Sequence, residues 1–217
     1  MSKVIGIMGE SGSGKTTSMK NLDPKTTFYI DCDKKGLSWK GWKTQYVETK
    51  DFCNYARVDT EPTVRSILQH INEDPKYRRV KVVVIDTMNG IMVADEVRRM
   101  REKGYDKWAD LAQCIWGLLD YCHTLRDDLT VIMIFHSQTQ KEDDGYTFTR
   151  IKTSGRKLDK LCIESKLTTV LYATVKDGRY IFMTRMDNST AKTPLGAFEE
   201  NEIDNDIVPV LKALEEY

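Results

Sequence analysis

Eight residues near the start of the chain have types and spacing that could bind phosphate. Gly9-Glu10-Ser11-Gly12-Ser13-Gly14-Lys15-Thr16 reads G-x-x-x-x-G-K-T, with Thr17 directly after it. Glycines let successive backbone N–H groups turn inward and come close to phosphate oxygens. A helix beginning at the loop adds the partial positive charge of its N-terminus. Lys15 would reach the terminal phosphates of a nucleoside triphosphate, and the Thr16 hydroxyl would bind Mg²⁺. The alternative is a Gly/Ser turn that binds nothing. An apolar run before the motif (Val4, Ile5, Ile7, Met8) and a helical stretch after it argue against that.

A triphosphate site also needs an acid for the metal and a group that orients water. Val82-Val83-Val84-Ile85-Asp86 ends the most strand-like segment of the chain, which makes Asp86 the metal acid. The competing role for Asp86 is a helix N-cap. Thr87 follows it, so no Glu stands directly after the metal acid. The water-orienting group is then sought after the second strand, where Tyr29-Ile30-Asp31-Cys32-Asp33 offers two acids. Asp33 is the first candidate and Asp31 the second, set against two merely solvated strand-end acids.

These residues need a scaffold that brings strand ends together. Short apolar strands are read at Val4–Met8, Thr27–Ile30, Lys81–Ile85 and Thr130–Phe135, the last two apolar on both faces as in central parallel strands. A short helix is expected from Gly14 to Asn21, and a short strand at Gln45–Val47 within a Lys- and Trp-rich excursion. Pro62 opens a helix with Val64, Ile67, Leu68 and Ile71 on one stripe, and Trp108 to Cys122 gives a longer amphipathic helix. Strands at Thr168–Val175 and Arg179–Thr184 flank Lys176-Asp177-Gly178, a hairpin turn. Residues 136–160 show no strong period. The expected fold is α/β, a mostly parallel central sheet flanked by helices with a C-terminal antiparallel hairpin. A core over 1–196 would be followed by an acidic tail, 197–217, with seven acids against Lys212 and a short helix bearing Ile207, Val210, Leu211 and Leu214.

The 217 residues carry 33 Lys plus Arg against 33 Asp plus Glu, so a uniformly basic nucleic-acid binder is excluded and any such contact must be a local patch. At 40% hydrophobic residues the chain is too apolar for disorder. Five scattered cysteines without a CxxC pair read as reduced thiols. With no long apolar run or signal segment, a soluble, cytoplasmic protein without a membrane partner is expected.

In motif order the chain resembles RecA-like ATPases: Gly-Glu-Ser-Gly-Ser-Gly-Lys-Thr-Thr, then Tyr-Ile-Asp-Cys-Asp, then Val-Val-Val-Ile-Asp-Thr, then Met133-Ile134-Phe135-His136-Ser137-Gln138. The early loop looks most like phage-encoded, short RecA-core proteins of the Sak type, associated with single-strand annealing and recombination. The resemblance implies ATP and Mg²⁺ as cofactors, and Asp33 stands where that family carries a catalytic Glu. It implies that Gln138 or His136 senses the terminal phosphate. It places a DNA-binding loop at Lys141–Lys160, where Arg150, Lys152, Arg156, Lys157 and Lys160 are interleaved with Tyr146 and Phe148. Basic groups track a strand's phosphates while rings stack its bases; the bland reading is a solvated loop. It further implies a ring- or filament-forming homo-oligomer, with Arg185 reaching a neighbour's site, and a host-cell cytoplasm shared with a phage single-strand binding protein. No oligomerisation segment is read before the loop, so assembly would use core surfaces.

Two other readings compete with a DNA-dependent ATPase: a nucleotide or nucleoside phosphotransferase with 145–160 as its lid, and a non-hydrolysing nucleotide-gated adaptor, which Asp33 in place of Glu would suit. Arg98–Lys103 reads as a solvated helix face or a second DNA contact. Trp39 and Trp42 read as sheet-edge packing or base stacking.

Overall fold

The structure is a computed structural model and describes residues 2–49, 52–104, 106–141, 143, 145–154 and 162–217. Among these, nine strands form one sheet: β1 (Lys3–Gly9), β2 (Thr27–Asp31), β3 (Tyr55–Arg57), β4 (Val82–Asp86), β5 (Thr130–Lys141), β6 (Thr147–Ile151), β7 (Thr169–Lys176), β8 (Arg179–Met183) and β9 (Glu202–Asp204). The order is β3-β2-β4-β5-β1-β7-β8-β9, with β6 paired to the far end of β5. Strands β1 to β5 and β7 pair in parallel; β8, β9 and β6 pair antiparallel. The expected α/β architecture is therefore present, with the terminal hairpin turning at Asp177 and Gly178, both at positive φ.

Helices cover the two faces unequally. The α2 (Glu61–Glu73), α3 (Met88–Arg98) and α4 (Asp106–His123) helices pack on one face through Val64, Leu68, Ile91, Met92, Ile115 and Leu119. The other face is covered by the turn after the phosphate loop, by residues around the short α1 (Trp42–Gln45), and by α5 (Ile207–Ala213). The segment after the loop is a 3-10 turn at Thr17–Met19, shorter than the helix expected from Gly14 to Asn21. Gln45–Val47 is not a strand; α1 ends there and buries Tyr46. Trp39 and Trp42 pack on Tyr29, Tyr46 and Tyr55 at 5.3–6.3 Å between ring centroids, the sheet-edge role of the two considered.

Register explains where the site forms. Gly9 pairs with His136, Asp86 with Ile134, and Asp31 with Asp86. The carboxyl ends of β1, β2, β4 and the middle of β5 thus lie level, and ligands of open α/β sheets bind at that edge. Beyond His136, β5 has lost both neighbours, because β1 turns into the phosphate loop and β4 ends. Its exposed backbone groups are satisfied by β6 instead, from Ser137↔Ile151 to Lys141↔Thr147. Part of the segment expected to be an aperiodic loop is therefore a β-hairpin.

The acidic C-terminal stretch is integral to the sheet. β9 extends it beyond β8, and Ile207, Val210 and Leu214 are buried under the phosphate-loop face. Asp206 caps α5 and also accepts a bond from Asn21 Nδ2 at 2.6 Å, while Lys3 Nζ donates to the Leu214 carbonyl at 2.5 Å. The helix falls where its apolar spacing placed it, but the segment is packed core, not an appended tail. Ile207→Ala should lower the unfolding free energy by about 2–5 kcal/mol in urea titrations. A loss under about 0.5 kcal/mol, the range of surface changes, would contradict this packing role.

Candidate nucleotide-binding site

The phosphate loop is held by close backbone approach. A Cβ on Gly9 would lie 2.5 Å from the Ala173 carbonyl and from Ser13 Oγ, so only glycine lets β1 pass β7 at this point. Gly14 has φ +90°, a left-handed conformation that side chains disfavour. The Lys15 ammonium donates to the carbonyls of Gly9 at 2.8 Å and Glu10 at 2.6 Å. Those bonds keep it on the inner side of the loop, where phosphate oxygens would replace the carbonyls. Burial lowers its pKa to about 8, against the opposing pull of Asp86.

The Thr16 hydroxyl donates to Asp86 Oδ2 at 2.7 Å, and the Tyr29 hydroxyl donates to the same oxygen at 2.6 Å. Asp86 Oδ1 is buried with no hydrogen-bond partner. Burial raises the Asp86 carboxyl, and the bonds from Tyr29 and Thr16 oppose that rise. The Tyr29 phenol is raised far above its ordinary value by burial and then by the Asp86 charge, so it remains a donor. An orphan carboxylate oxygen beside a threonine hydroxyl fits a divalent cation. Among the described residues no cluster of three or more His, Cys, Asp or Glu could hold a metal by itself. Mg²⁺ usually takes one or two carboxylates and leaves its other positions to phosphates and water, and Asp86 with Thr16 would supply the protein's share. Thr87, not Asp86, caps α3, accepting from the Gly90 amide at 3.0 Å.

The two candidate water-orienting acids have different surroundings. Asp31 is buried, and its Oδ2 accepts from the Tyr55 hydroxyl at 2.7 Å and the Gly36 amide at 2.8 Å. It shapes the turn after β2. Asp33 is half-buried; Lys35 Nζ lies 2.6 Å from one of its oxygens and Thr87 Oγ1 3.0 Å from the other. Of the two, Asp33 accepts from Thr87, which lines the phosphate cleft.

His136 lines the cleft of about 290 Å³ that contains Ser11, Lys15, Thr16, Lys35 and Tyr180. Burial and the Lys15 charge lower its pKa, so the imidazole is neutral at pH 7. Gln138 lies two residues further along β5 and is directed elsewhere: it pairs across the hairpin with Arg150, whose guanidinium Nε lies 3.1 Å from the amide oxygen once the amide is oriented to accept. Glu10 accepts from Ser137 Oγ at 3.2 Å, and Thr17 Oγ1 meets Ser38 Oγ at 2.9 Å. Tyr146 and Phe148 stack at 6.4 Å with an interplanar angle of 25°. Lys152 is exposed, whereas Arg156, Lys157 and Lys160 lie outside the described residues. Arg185 is exposed just past the end of β8 remote from the phosphate loop, so the chain does not bring it to its own site. Arg98 and Arg99 are engaged by Asp59, Asp95, Glu102 and Asp110, as a solvated ion-paired face would be.

Asn89 is a site residue that spacing did not reveal. It is buried in the first turn of α3; its Oδ1 accepts from the His136 amide at 2.7 Å and its Nδ2 donates to the Lys152 carbonyl at 2.9 Å. One side chain thus ties the end of β4 to both strands of the hairpin. No sequence signal distinguishes this Asn from an ordinary helix-start Asn.

A phosphate loop at the carboxyl edge of a parallel sheet, facing a buried strand-end Asp, defines a P-loop nucleotide-binding fold. A family model described as AAA domain matches residues 1–195. The chain belongs to that family of P-loop AAA-type ATPases, which accounts for a nucleotide ligand. No curated protein matches the chain. No helix among the described residues is long and apolar enough to cross a membrane.

Two outcomes follow from the geometry. Phosphate oxygens favour the charged form of Lys15, whereas above pH 8 a growing share of free protein carries it neutral. Triphosphate affinity should fall as pH rises through about 8, and Lys15 should take up a proton on binding at about pH 9 but not at about pH 6, where the free protein already carries it charged. Calorimetry in buffers of different ionisation enthalpy measures that proton. Asn89→Ala, by removing two part-buried hydrogen bonds, should cost about 1 kcal/mol and speed amide exchange in β5 and β6. Unchanged exchange there would mean the hairpin is held without Asn89.

Proposed function

We propose that the chain is a Mg²⁺-dependent ATPase of DNA recombination or single-strand annealing, acting on single-stranded DNA through the β5–β6 hairpin. The observation that carries the reading is a continuous strand. β5 brings His136 to the phosphate cleft and, within five residues, becomes one arm of a hairpin bearing Arg150, Tyr146 and Phe148, with Lys152 at its exit. Stacked, partly exposed rings among basic groups suit a strand bound by its bases and phosphates without sequence readout. Asn89 adds a second route from the metal acid's strand to the same hairpin.

In this reading Lys15 and the loop amides hold the triphosphate. Thr16 and Asp86 would hold Mg²⁺, which supplies charge neutralisation along the phosphates. Asp33 orients water, His136 contacts the terminal phosphate as a neutral donor, and Gln138 links that end of the cleft to Arg150. The motif resemblance to Sak-type proteins extends the proposal to a ring or filament of identical chains, with Arg185 serving a neighbour's site, and to a phage single-strand binding protein as partner.

A second reading, a nucleotide-gated adaptor without turnover, is favoured by one observation: both Asp33 oxygens are already engaged, by Lys35 and Thr87. One experiment separates the two. ATP hydrolysis measured with and without single-stranded DNA should be DNA-stimulated, and DNA affinity should drop steeply with salt. Lys15→Ala should abolish nucleotide binding, whereas Asp33→Asn should keep binding and lose turnover by roughly 100-fold or more. ATP binding with negligible turnover in either condition supports the adaptor, and salt-insensitive or absent DNA binding removes the DNA role.

A further inference from the structure

A cleft that holds a nucleoside triphosphate has a phosphate end and a nucleoside end, and the strand order separates them. Thr87 and His136, from the β4 and β5 side, and Tyr180, from β8, all line the cleft. β8 lies on the opposite side of β1 from β5. Lys15, Thr16 and Asp86 face the β4 and β5 side, so a triphosphate whose terminal end they hold directs its nucleoside toward β7 and β8.

Two side chains converge there on the loop backbone. A Cβ on Gly14 would lie 2.8 Å from the Tyr180 ring and 2.8 Å from Asn205 Oδ1. Tyr180 is 55% exposed although its ring abuts the loop, which leaves much of an aromatic surface open beside the cleft. Asn205 stands between β9 and α5, and its Nδ2 is buried without a hydrogen-bond partner. A buried orphan donor is costly unless an acceptor comes to meet it. Its neighbour Asp206 caps α5 and holds Asn21, so the backbone that presents Asn205 is fixed.

We propose that Tyr180 and Asn205 form the nucleobase recess of this site and that it takes adenine. The proposal rests on the nucleotide-binding reading above. Tyr180 lines the cleft and stacks on the ring, and Asn205, packed beside Gly14 just outside the cleft lining, pairs its amide with the purine edge once the entering base uncovers it. An amide offers one acceptor and one donor side by side, which matches the N6 amine and N7 of adenine. Guanine presents two acceptors, O6 and N7, at the same edge, so one of them would face the amide oxygen. The recess is built by β8 and the C-terminal segment, which gives the acidic stretch a part in ligand choice.

The test is calorimetric titration of the full chain with ATP, GTP and inorganic tripolyphosphate in the presence of Mg²⁺. Wild-type protein should bind ATP more tightly than GTP and than tripolyphosphate. Tyr180→Ala should lose roughly ten- to hundred-fold in ATP affinity with tripolyphosphate unchanged, and Tyr180→Phe should retain ATP affinity. Asn205→Ala should narrow the ATP-to-GTP ratio by roughly ten-fold, again without changing tripolyphosphate. Tyr180→Ala with undiminished ATP affinity, or wild-type protein binding tripolyphosphate as well as ATP, overturns the recess while the phosphate-loop reading stands. An unchanged ATP-to-GTP ratio in Asn205→Ala overturns the adenine assignment. Wild-type protein that binds none of the three overturns the phosphate-loop reading and the recess with it.

Discussion

The bond from Thr16 Oγ1 to Asp86 Oδ2 joins the loop that follows β1 to the end of β4, and β1 and β4 are not neighbours in the sheet. β5 lies between β1 and β4, which puts their axes about 10 Å apart at the usual strand spacing. Side chains can bridge that gap only if both strands end at the same level and both residues emerge on the same face. The registers Gly9↔His136 and Asp86↔Ile134 meet the first condition, and the shared packing of Ile7, Val84 and Ile134 on one face meets the second. Apolar strands on both sides of β5 hold that alignment. Sliding either by one residue would turn every side chain to the other face and separate the pair.

The same arrangement decides where the hairpin stands. β5 outlasts its neighbours because the chains on each side leave the sheet to make the site. Its free end must find another partner for its backbone, and β6 supplies it. The site and the hairpin are thus two consequences of one staggered set of strand ends. Asn89 ties them together again by bonding both strands from the start of α3.

Buried charge is handled economically around this junction. Asp86 gains two hydroxyl donors and keeps one oxygen unpartnered, an arrangement that fits a cation. Asp31, at the matching end of β2, has its Oδ2 engaged by both Tyr55 and Gly36 and shapes the turn that follows. Two acids two residues apart in sequence, Asp31 and Asp33, have different surroundings because Asp31 ends β2 whereas Asp33 lies in the turn beyond it.

Local patterns were enough to reveal the phosphate loop, the apolar strands, the β7–β8 turn, the Asp86 strand end and the apolar stripe of α5. Each depends on residue type at short spacing: glycines where backbone must close in, β-branched runs that suit buried strands, and 3.6-residue periodicity. The sequence also named Asp31 and Asp33 without ranking them by surroundings, and did not show the strands at 136–141 and 147–151 because a two-stranded ribbon with mixed faces has no apolar side to alternate. Only the tertiary structure placed Tyr180, Asn205 and Asn89 at the site. They reach it from β8, the C-terminal segment and α3, and contacts so distant along the chain leave no periodic trace. It also turned the acidic tail into a sheet edge, since pairing with β8 satisfies its backbone and burial of Ile207, Val210 and Leu214 outweighs the repulsion among its charges.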